Sequence, residues 1–343
     1  MTKNKFYIDK DISLASTLDS QFYTSESIYQ KSIKNIFQKS WQFITHKTTL
    51  KNNNIYPFNF LSDSINEPLV LSINNSNITC FSNVCTHRGH IINKKTCQLN
   101  KMTCDYHGRT FNLNGTIKGA PGFKGVKKFP TKKDNLKEFS TINWNDFIFA
   151  SIDPKIDITN VLNDISIRLE KFPYEKIELR ESLSKTYHLD AHWALYCENF
   201  LEGFHVSFVH KNLASQINTK TYKTELLDNG VLQYADSKNE EPYAYYYWIF
   251  PNIMLNFYDW GVSVNIVEPL SMNKTRIKFL TFAEPNKNLT KLIKELHQVE
   301  LEDEEVVLNV QKGVSSKTYV KGRYSVNHEK GVHHFHQLLS KYI

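Results

Sequence analysis

The 343-residue sequence has few cysteines, little glycine and no long apolar run. Its five cysteines form an odd and sparse set, which argues against a disulfide framework. No stretch approaches the roughly 18 apolar residues that a membrane span needs. The N-terminal MTKNKFYIDKDISLAS also lacks the apolar core of a signal peptide. We therefore predict a cytoplasmic protein with no membrane association.

Charge of one sign is not concentrated anywhere in the chain. The formal net charge of +7 is modest for this length, and the lysines are scattered, often beside asparagine. This distribution predicts no nucleic-acid binding. A glycine-rich dinucleotide fingerprint such as GxGxxG is also absent, so a nicotinamide-dependent step would need another chain. With 41% hydrophobic and 13% aromatic residues, the chain has enough apolar surface for a sizeable core.

Hydrophobic periodicity divides the chain into three parts, 1–45, 46–155 and 156–343. Apolar residues at helical spacing predict a helix over about 25–46, with Ser25 as its N-cap, packing on the third part. Short apolar runs separated by turns predict an all-β domain for the second part. Within it, Asn114-Gly115 between apolar residues predicts a type I′ hairpin.

The third part changes from strands alone to mixed helix and strand. We predict helices near 160–172 and 193–210, strands at 244–258, 262–269 and 275–284, and a long helix over about 288–313. Helices on an antiparallel sheet define an α+β domain. The β-domain is then inserted between the N-terminal helix and the domain on which that helix packs.

Two cysteine and histidine pairs stand in the β-domain where strands run into turns: Cys85 and His87, then Cys104 and His107. Two thiolates and two imidazoles also suit a structural zinc site. However, such zinc patterns usually begin with two nearby cysteines and keep the histidines together. In a Rieske centre the thiolates hold one iron and the imidazoles the other, so each loop supplies one ligand to each iron. We therefore favour a [2Fe–2S] cluster.

The string CTHRGH…CDYHGRTFNLNGTIKGAPGF closely resembles the Rieske domain of ring-hydroxylating oxygenases, including the Pro121 loop that would cover the cluster. The chain departs from the usual motif at Asp105 and Arg109. These residues either alter the partner surface or cluster potential, or are surface residues beside the motif. Cys80 and Cys97 are not part of the ligand motif and are expected to be small buried hydrophobic residues.

The segment HWALYCENFLEGFHVSFVH contains a second candidate metal site. His205 and His210 with a distant carboxylate would form the facial triad of non-haem Fe(II). On a regular helix this pair diverges by about 140°, so we expect the helix to bulge or unwind between them. The segment resembles the catalytic-iron motif of the same oxygenase family, which implies an α+β helix-grip domain. That resemblance selects Asp303, eight residues before Gln311, as third ligand; the fallbacks on this acidic run are Glu302 and Glu304. Most of the run is expected to be a solvated helix face.

The family resemblance also implies roles for Glu202 and Asn199. Glu202 would link His107 of one subunit to His205 of its neighbour, and Asn199 would lie beside the iron or make an ordinary helix hydrogen bond. Such a bridge implies a ring of subunits, commonly a homotrimer. The family resemblance further implies that a flavin and iron–sulfur NAD(P)H-dependent reductase supplies the electrons and that O₂ is a co-substrate.

Within the family, the glutamate bridge, the short chain and the C-terminal GRYSVNHEKGVHHFHQLL resemble the choline, betaine and carnitine monooxygenase branch. We therefore expect hydroxylation or oxidative demethylation of a small amine or quaternary ammonium compound. An aromatic-ring oxygenase acting on an aromatic acid is the first alternative, and a Rieske electron carrier or redox sensor without catalytic iron is the second. Candidate aromatic residues of the substrate cavity include Tyr247, Trp248, Phe257, Tyr258 and Trp260. Because side chains alternate between the two faces of a strand, about half of them are expected to point away from the cavity. Four histidines are expected on a terminal helix or the surface: His328, His333, His334 and His336.

Overall fold

The computed structural model describes residues 6–75, 77–214, 218, 221–236 and 242–343. The chain divides into two units, Gln38–Lys155 and a second unit that joins Met1–Phe37 to Ile156–Ile343. Each unit has its own sheet system, so each is described by itself. In the described part of the chain, no helix combines the length and the apolar character that a membrane crossing requires.

The N-terminal helical segment is shorter than its apolar spacing predicts. Helix α1 (Gln21–Thr24) and helix α2 (Glu26–Asn35) are followed by a 3₁₀ turn at Phe37–Lys39 and by strand β1 (Gln42–His46). The helix predicted over 25–46 is therefore wrong beyond Asn35. The segment QFITH pairs antiparallel with strand Phe147–Ser151, so a long-range partner outweighs local helical spacing. Ser25 is the N-cap by position, without a side-chain capping bond.

The unit Gln38–Lys155 is an all-β domain of two antiparallel sheets. One sheet has six strands in the order β1-β9-β8-β4-β3-β2, and the other has three in the order β5-β6-β7. The short helices are α3 (Lys47–Leu50) and a 3₁₀ turn at Lys132–Asp134. The remaining strands are β2 (Ile55–Phe60), β3 (Glu67–Asn74), β4 (Asn77–Ser82), β5 (Met102–Thr103), β6 (Thr110–Phe111), β7 (Ile117–Gly119), β8 (Glu138–Trp144) and β9 (Phe147–Ser151).

The hairpin predicted at Asn114-Gly115 joins β6 to β7, but the type I′ turn is wrong. Gly115 has φ +76°, whereas Asn114 is not among the residues with positive φ. The carbonyl of Asn112 accepts from the N–H of Gly115 at 3.0 Å. Only one left-handed residue is therefore needed, as in a type I turn followed by a glycine bulge. A β-carbon at Gly115 would also lie 2.6 Å from the Phe81 ring.

The second unit is α+β, with helices on an antiparallel sheet. Its eight-stranded sheet runs β10-β17-β16-β15-β14-β13-β12, and β11 also pairs with β17. The strands are β10 (Glu178–Leu179), β11 (Lys185–Leu189), β12 (Lys223–Leu227), β13 (Gly230–Asp236), β14 (Pro242–Ile249), β15 (Ile253–Tyr258), β16 (Gly261–Ser271) and β17 (Lys274–Ala283). The helices are α4 (Thr159–Arg168), α5 (Trp193–Phe200), α6 (Val206–Val209), α7 (Lys211–Ala214), α8 (Thr290–Val314) and α9 (Lys330–Tyr342), with 3₁₀ turns at Tyr174–Lys176 and Glu181–Leu183.

Most of the predicted elements of this unit are confirmed. The strand predicted over 244–258 is two strands that meet at a turn containing Pro251, whose ring nitrogen cannot donate to a ladder. The predicted helix 193–210 is wrong as one helix, since α5 ends at Phe200. The four strands β10, β11, β12 and β13 are not predicted from the sequence.

Cross-strand register places one row of polar side chains across the sheet. Gln233 pairs with Tyr246, Tyr246 with Asn256, and Asn256 with Ser263. All four line one cavity between the sheet and helices α5 and α8. Because side chains alternate between the faces of a strand, Tyr247 points to the other face, where its hydroxyl donates to Asp164 at 2.6 Å.

Candidate metal centres and the adjoining cavity

Two loops of the all-β unit repeat one backbone geometry around Cys85 and Cys104. The N–H of each cysteine donates to the carbonyl five residues later at 2.8 Å, and each cysteine carbonyl accepts from the N–H four residues later at 3.0 Å. Those later residues are Gly89 and Gly108, both with φ +73°. This left-handed conformation favours glycine at both positions. The two loops therefore present their cysteines in the same way.

The four predicted cluster ligands separate into a buried thiol end and an outer imidazole end. Cys85 and Cys104 are 3% and 1% exposed. The rings of His87 and His107 lie 4.7 Å apart, and His107 is exposed. Nδ1 of His87 is buried without a hydrogen-bond partner among the described residues. Burial raises the pKa of Cys85, and the adjoining Cys104 thiol adds to this. Two thiols beside two imidazoles fit a [2Fe–2S] cluster held by one pair on each iron.

Arg109 is buried beside this site, so the expectation of a surface residue is wrong for it. The side chain is 3% exposed, and its guanidinium lies 4.6 Å from the ring centre of Phe123 and 5.2 Å from that of Phe129. Nη1 donates to the Thr86 hydroxyl at 3.1 Å and lies 3.8 Å from Asp134. A buried positive charge thus lies near the cluster ligands.

Asp105, the other departure from the family motif, is exposed. Its carboxylate lies 2.7 Å from Lys94 and 3.3 Å from His90. Donor atoms of His90, Cys104 and Asp105 also lie within 4.8 Å of one another. We interpret that grouping as a surface ion pair that adjoins Cys104, because Asp105 is already bonded to lysine. Cys80 is buried as expected, whereas Cys97 is half-buried.

The predicted iron histidines lie at the two ends of α6. Helix α5 (Trp193–Phe200) is capped at its N-terminus by His192, whose Nδ1 accepts from the N–H of Ala194 at 3.2 Å. An irregular turn follows, so that His205 is the N-cap of α6 and His210 its C-cap. The helix is thus interrupted before His205 rather than between the two histidines. Within this turn a β-carbon on Gly203 would meet the Tyr222 ring at 2.3 Å, so the close approach requires glycine.

Asp303 on α8 brings a carboxylate to these two imidazoles. Its Oδ1 lies 3.0 Å from Nε2 of His210 and 3.4 Å from Nε2 of His205. Donor atoms of the three residues lie within 4.8 Å of one another. Two imidazole nitrogens and one carboxylate oxygen are the donor set of non-haem Fe(II) enzymes. The residues present therefore fit a mononuclear iron.

A second carboxylate contacts the far side of each imidazole. Nδ1 of His205 lies 2.6 Å from Oε1 of Glu202, and Nδ1 of His210 lies 2.8 Å from Oε2 of Glu302. When each Nδ1–H donates to its carboxylate, the lone pair remains on Nε2, which faces Asp303. Glu302, a fallback ligand in the prediction, thus contacts the other side of a histidine. Burial lowers the pKa of His210, but Asp303 and Glu302 outweigh it and raise that pKa.

Asn199 and Glu198 on α5 connect this site to other helices. Asn199 Nδ2 donates to Oδ1 of Asp303 at 2.6 Å. Glu198 accepts from the Tyr23 hydroxyl at 2.7 Å, and its Oε1 lies 3.1 Å from Nε2 of His336. His336 is 1% exposed, so a surface position is wrong for it, although α9 is the expected terminal helix. Residues 100 or more positions apart form this cluster, and no local sequence signal indicates it.

The cavity beside the triad has a volume of about 150 Å³. Asn199, Glu202, His205, His210 and Asp303 all line it. Of the aromatic candidates from sequence only Tyr258 contributes, together with Tyr246 from the same stretch. The aromatic lining residues are Tyr196, Phe200, Tyr222, Tyr246, Tyr258 and Phe279. The wall is therefore largely aromatic next to a metal-binding donor set.

The side chain of Glu300 is buried, unlike the solvated face expected for most of the acidic run on α8. It lines the cavity, is 3% exposed, and its Oε2 accepts from the Tyr196 hydroxyl at 2.5 Å. Oε1 is buried with no hydrogen-bond partner in the described structure. Burial raises the pKa of Glu300 well above its usual range; the Tyr196 hydrogen bond opposes this, and the charges of Asp303 and Glu304 add to it.

Comparison with known proteins accounts for both centres. Residues 40–130 match the Rieske [2Fe-2S] domain, and residues 177–343 match the catalytic domain of the ring hydroxylating alpha subunit. The chain belongs to the Rieske non-haem iron oxygenases. The oxygenase is 26% identical over 350 residues to chloroplastic choline monooxygenase of Arabidopsis thaliana, covering 95% of this chain and 82% of that protein. It is 27% identical over 353 residues to the carnitine monooxygenase oxygenase subunit of Escherichia coli K12, covering 95% and 94%.

Solved structures agree on the fold of the oxygenase. The quaternary ammonium Rieske monooxygenase CntA superimposes with a TM-score of 0.83 at 24% identity, covering 97% of this chain and 96% of that one. A naphthalene 1,2-dioxygenase reaches 0.75 at 17% identity, covering 99% and 94%. The α+β fold with a Rieske domain is thereby confirmed. The oxygenase carries a Rieske cluster and a mononuclear iron, and it works in a multicomponent system with a reductase and O₂.

Proposed function

We propose that the oxygenase hydroxylates or oxidatively demethylates a small amine or quaternary ammonium compound in the cavity beside His205, His210 and Asp303. The observation that carries this proposal is the cavity wall, which combines aromatic rings such as Tyr246 and Tyr258 with carboxylates. Aromatic faces attract cations, by about 0.5–2 kcal/mol for each well-placed ring. The choline and carnitine monooxygenases with similar sequences support the same substrate class.

The positions of the residues support a proposed role for each of them in the two centres. We propose His205, His210 and Asp303 as ligands of the catalytic iron, with Asn199 holding the Asp303 carboxylate through its 2.6 Å hydrogen bond. Iron bound there would activate O₂ next to the substrate. Glu302 orients the His210 ring through the contact at Nδ1. The proposed ligands of the Rieske cluster are Cys85, His87, Cys104 and His107.

Glu202 is proposed to connect this iron site with the cluster of a neighbouring subunit in a homotrimer. Its contact with His205 leaves the other carboxylate oxygen bonded to backbone N–H groups of the same turn. Phe204 and Phe208 are 44% and 72% exposed on the same segment, as a subunit contact would need. His107 is exposed in the all-β unit, as electron exchange at that imidazole would need. Replacing Glu202 with Gln should keep both centres loaded and slow turnover severely; unchanged turnover would remove the bridge assignment.

We propose a separate flavin and iron–sulfur NAD(P)H-dependent reductase as electron donor. Metal analysis tests the assignment of two centres, because a [2Fe–2S] cluster plus one iron gives about three irons per chain. About two irons would instead indicate an electron carrier. A substrate panel with the matched reductase tests the substrate class. Product from benzoate-like compounds but not from ammonium compounds would favour an aromatic-ring oxygenase and contradict the proposal.

A further inference from the structure

The cavity beside the proposed iron ligands is lined by carboxylates and by no lysine or arginine among the described residues, which does not suit a zwitterionic ligand that carries its own carboxylate. Three carboxylates line it, those of Glu202, Glu300 and Asp303. None of the described residues that line it is lysine or arginine. Glu202 and Asp303 are engaged by the imidazoles of the iron site. Glu300 keeps one oxygen, Oε1, without a partner among the described residues, and a cation bound beside it would favour the ionised carboxylate against the effect of burial.

Three acceptor oxygens of the wall lack a hydrogen-bond donor among the described residues. Oε1 of Glu300, Oε1 of Gln233 and Oδ1 of Asn256 are buried acceptor oxygens without a partner among the described residues. The orientation of the Gln233 amide is settled by its Nε2, which donates to the Phe200 carbonyl at 2.7 Å. Buried acceptors normally find a donor. A ligand that brings positive charge, or N–H or O–H groups, is complementary to these oxygens.

The aromatic rings add to this preference, and the volume limits ligand size. Tyr246 and Tyr258 lie with ring centres 6.0 Å apart at 87°, so that they present two differently oriented faces. Tyr258 in turn stacks on Trp260 at 4.8 Å. A cavity of about 150 Å³ holds a molecule of roughly benzene size. The site therefore suits a compact cation.

We infer that Glu300 is the counter-charge for the substrate cation, and that the substrate is a small monocationic ammonium compound without a carboxylate group. This inference rests on the proposed function and makes its substrate class narrower. A carboxylate on the ligand would be buried beside Glu300 with no lysine or arginine to pair with it among the described lining residues, and the charge of an iron at this site would already be balanced in part by Asp303. Such burial of an unpaired charge is strongly unfavourable.

Equilibrium binding to the iron-loaded oxygenase, measured by calorimetry without O₂, tests the inference with three probes of similar size. These are choline, its neutral isostere 3,3-dimethylbutan-1-ol, and the zwitterion trimethylglycine. We expect choline to bind at least about tenfold more tightly than either of the others. This comparison uses the unmodified protein, so it does not depend on the folding of a variant. Equal binding of choline and its isostere, or of choline and trimethylglycine, would overturn the inference.

The variant Glu300→Gln keeps the shape of the side chain and an acceptor for Tyr196 while removing the charge. We expect it to lose the preference for choline over the isostere, whereas Glu305→Gln on the exposed side of α8 keeps it. Choline binding that is unchanged in Glu300→Gln would overturn the role of Glu300 and leave the proposed function standing. Binding of an aromatic acid in place of every ammonium probe would overturn both.

Discussion

Oε2 of Glu302 lies 2.8 Å from Nδ1 of His210, and the Nε2 atom of the same ring lies 3.0 Å from Asp303. Two neighbouring acidic residues on one helix thus contact opposite sides of one imidazole. Asp303 contacts the ring nitrogen that we propose as an iron ligand, and Glu302 contacts the other nitrogen, where it would fix the orientation and protonation of the ring. Because outer-sphere carboxylates tune the ligand as well as hold it, this pair should matter for iron affinity.

Replacing Glu302 with Gln removes the charge behind His210 and keeps a similar side-chain shape. We expect iron affinity or turnover to fall about 10- to 100-fold, as for other outer-sphere partners of metal-bound histidine. Iron retained after dialysis against a chelator, followed by a turnover assay, measures this. Glu305→Gln is the matched control because Glu305 is exposed on the same helix. Equal iron retention in the two variants would show that Glu302 does not support His210.

Arg109 places a buried positive charge near the cluster and should raise its reduction potential. Reduction adds negative charge to the cluster, which a nearby cation stabilises. Arg109→Met should therefore lower the potential by tens of millivolts, whereas Lys101→Gln at an exposed site should leave it unchanged. A redox titration followed by cluster absorbance measures the shift. An unchanged or higher potential in Arg109→Met would contradict a direct electrostatic effect.

Gly115 should be intolerant of a side chain because of both its φ of +76° and the Phe81 ring 2.6 Å from a built β-carbon. Gly115→Ala is expected to destabilise the all-β unit by about 1–3 kcal/mol. Gly119→Ala is the control, since a β-carbon there meets nothing within 4 Å. Thermal loss of the cluster absorbance compares the two variants. Equal midpoints would show that the turn adapts.

His192 should make the oxygenase less stable in acid. Burial lowers its pKa to about 3, so the unfolded chain takes up a proton near pH 6.5 that the folded protein does not accept. The folded state therefore loses stability as pH falls from about 6.5 towards 3, by up to about 1.4 kcal/mol per pH unit. His192→Asn keeps a side-chain acceptor for the helix cap and should reduce this loss. Denaturant midpoints at pH 7 and pH 5 test it, with exposed His188→Asn as control.

Local spacing was enough to predict the cluster motif, the α8 helix and the strands around Trp260, because these depend on neighbouring residues. It could not predict the end of the N-terminal helix, since QFITH becomes a strand only by pairing with 147–151. Nor could it identify the cavity residues, because the alternation of side chains along β14 does not tell which face of the strand borders the cavity. Tyr196, Tyr222 and Phe279 come from separate elements that only the fold brings together.

The acidic run on α8 shows the same limit at the active site. Glu300, Glu302 and Asp303 have similar chemistry and stand within one helical turn, so composition does not separate their positions. In the fold, one is buried in the cavity, one lies behind His210 and one faces both histidines. Their different positions arise from contacts with α5 and with His205 and His210 at the two ends of α6, about 100 residues away.

A single-turnover experiment tests the central claim most directly. The iron-loaded oxygenase, with its cluster reduced beforehand, is mixed with choline and O₂, and the oxygenated product and cluster oxidation are followed together. We predict cluster oxidation coupled to formation of an oxygenated product, and neither product nor coupled oxidation in Asp303→Ala. Product from benzoate-like compounds alone, or product from choline in Asp303→Ala at the unmodified yield, would contradict the account.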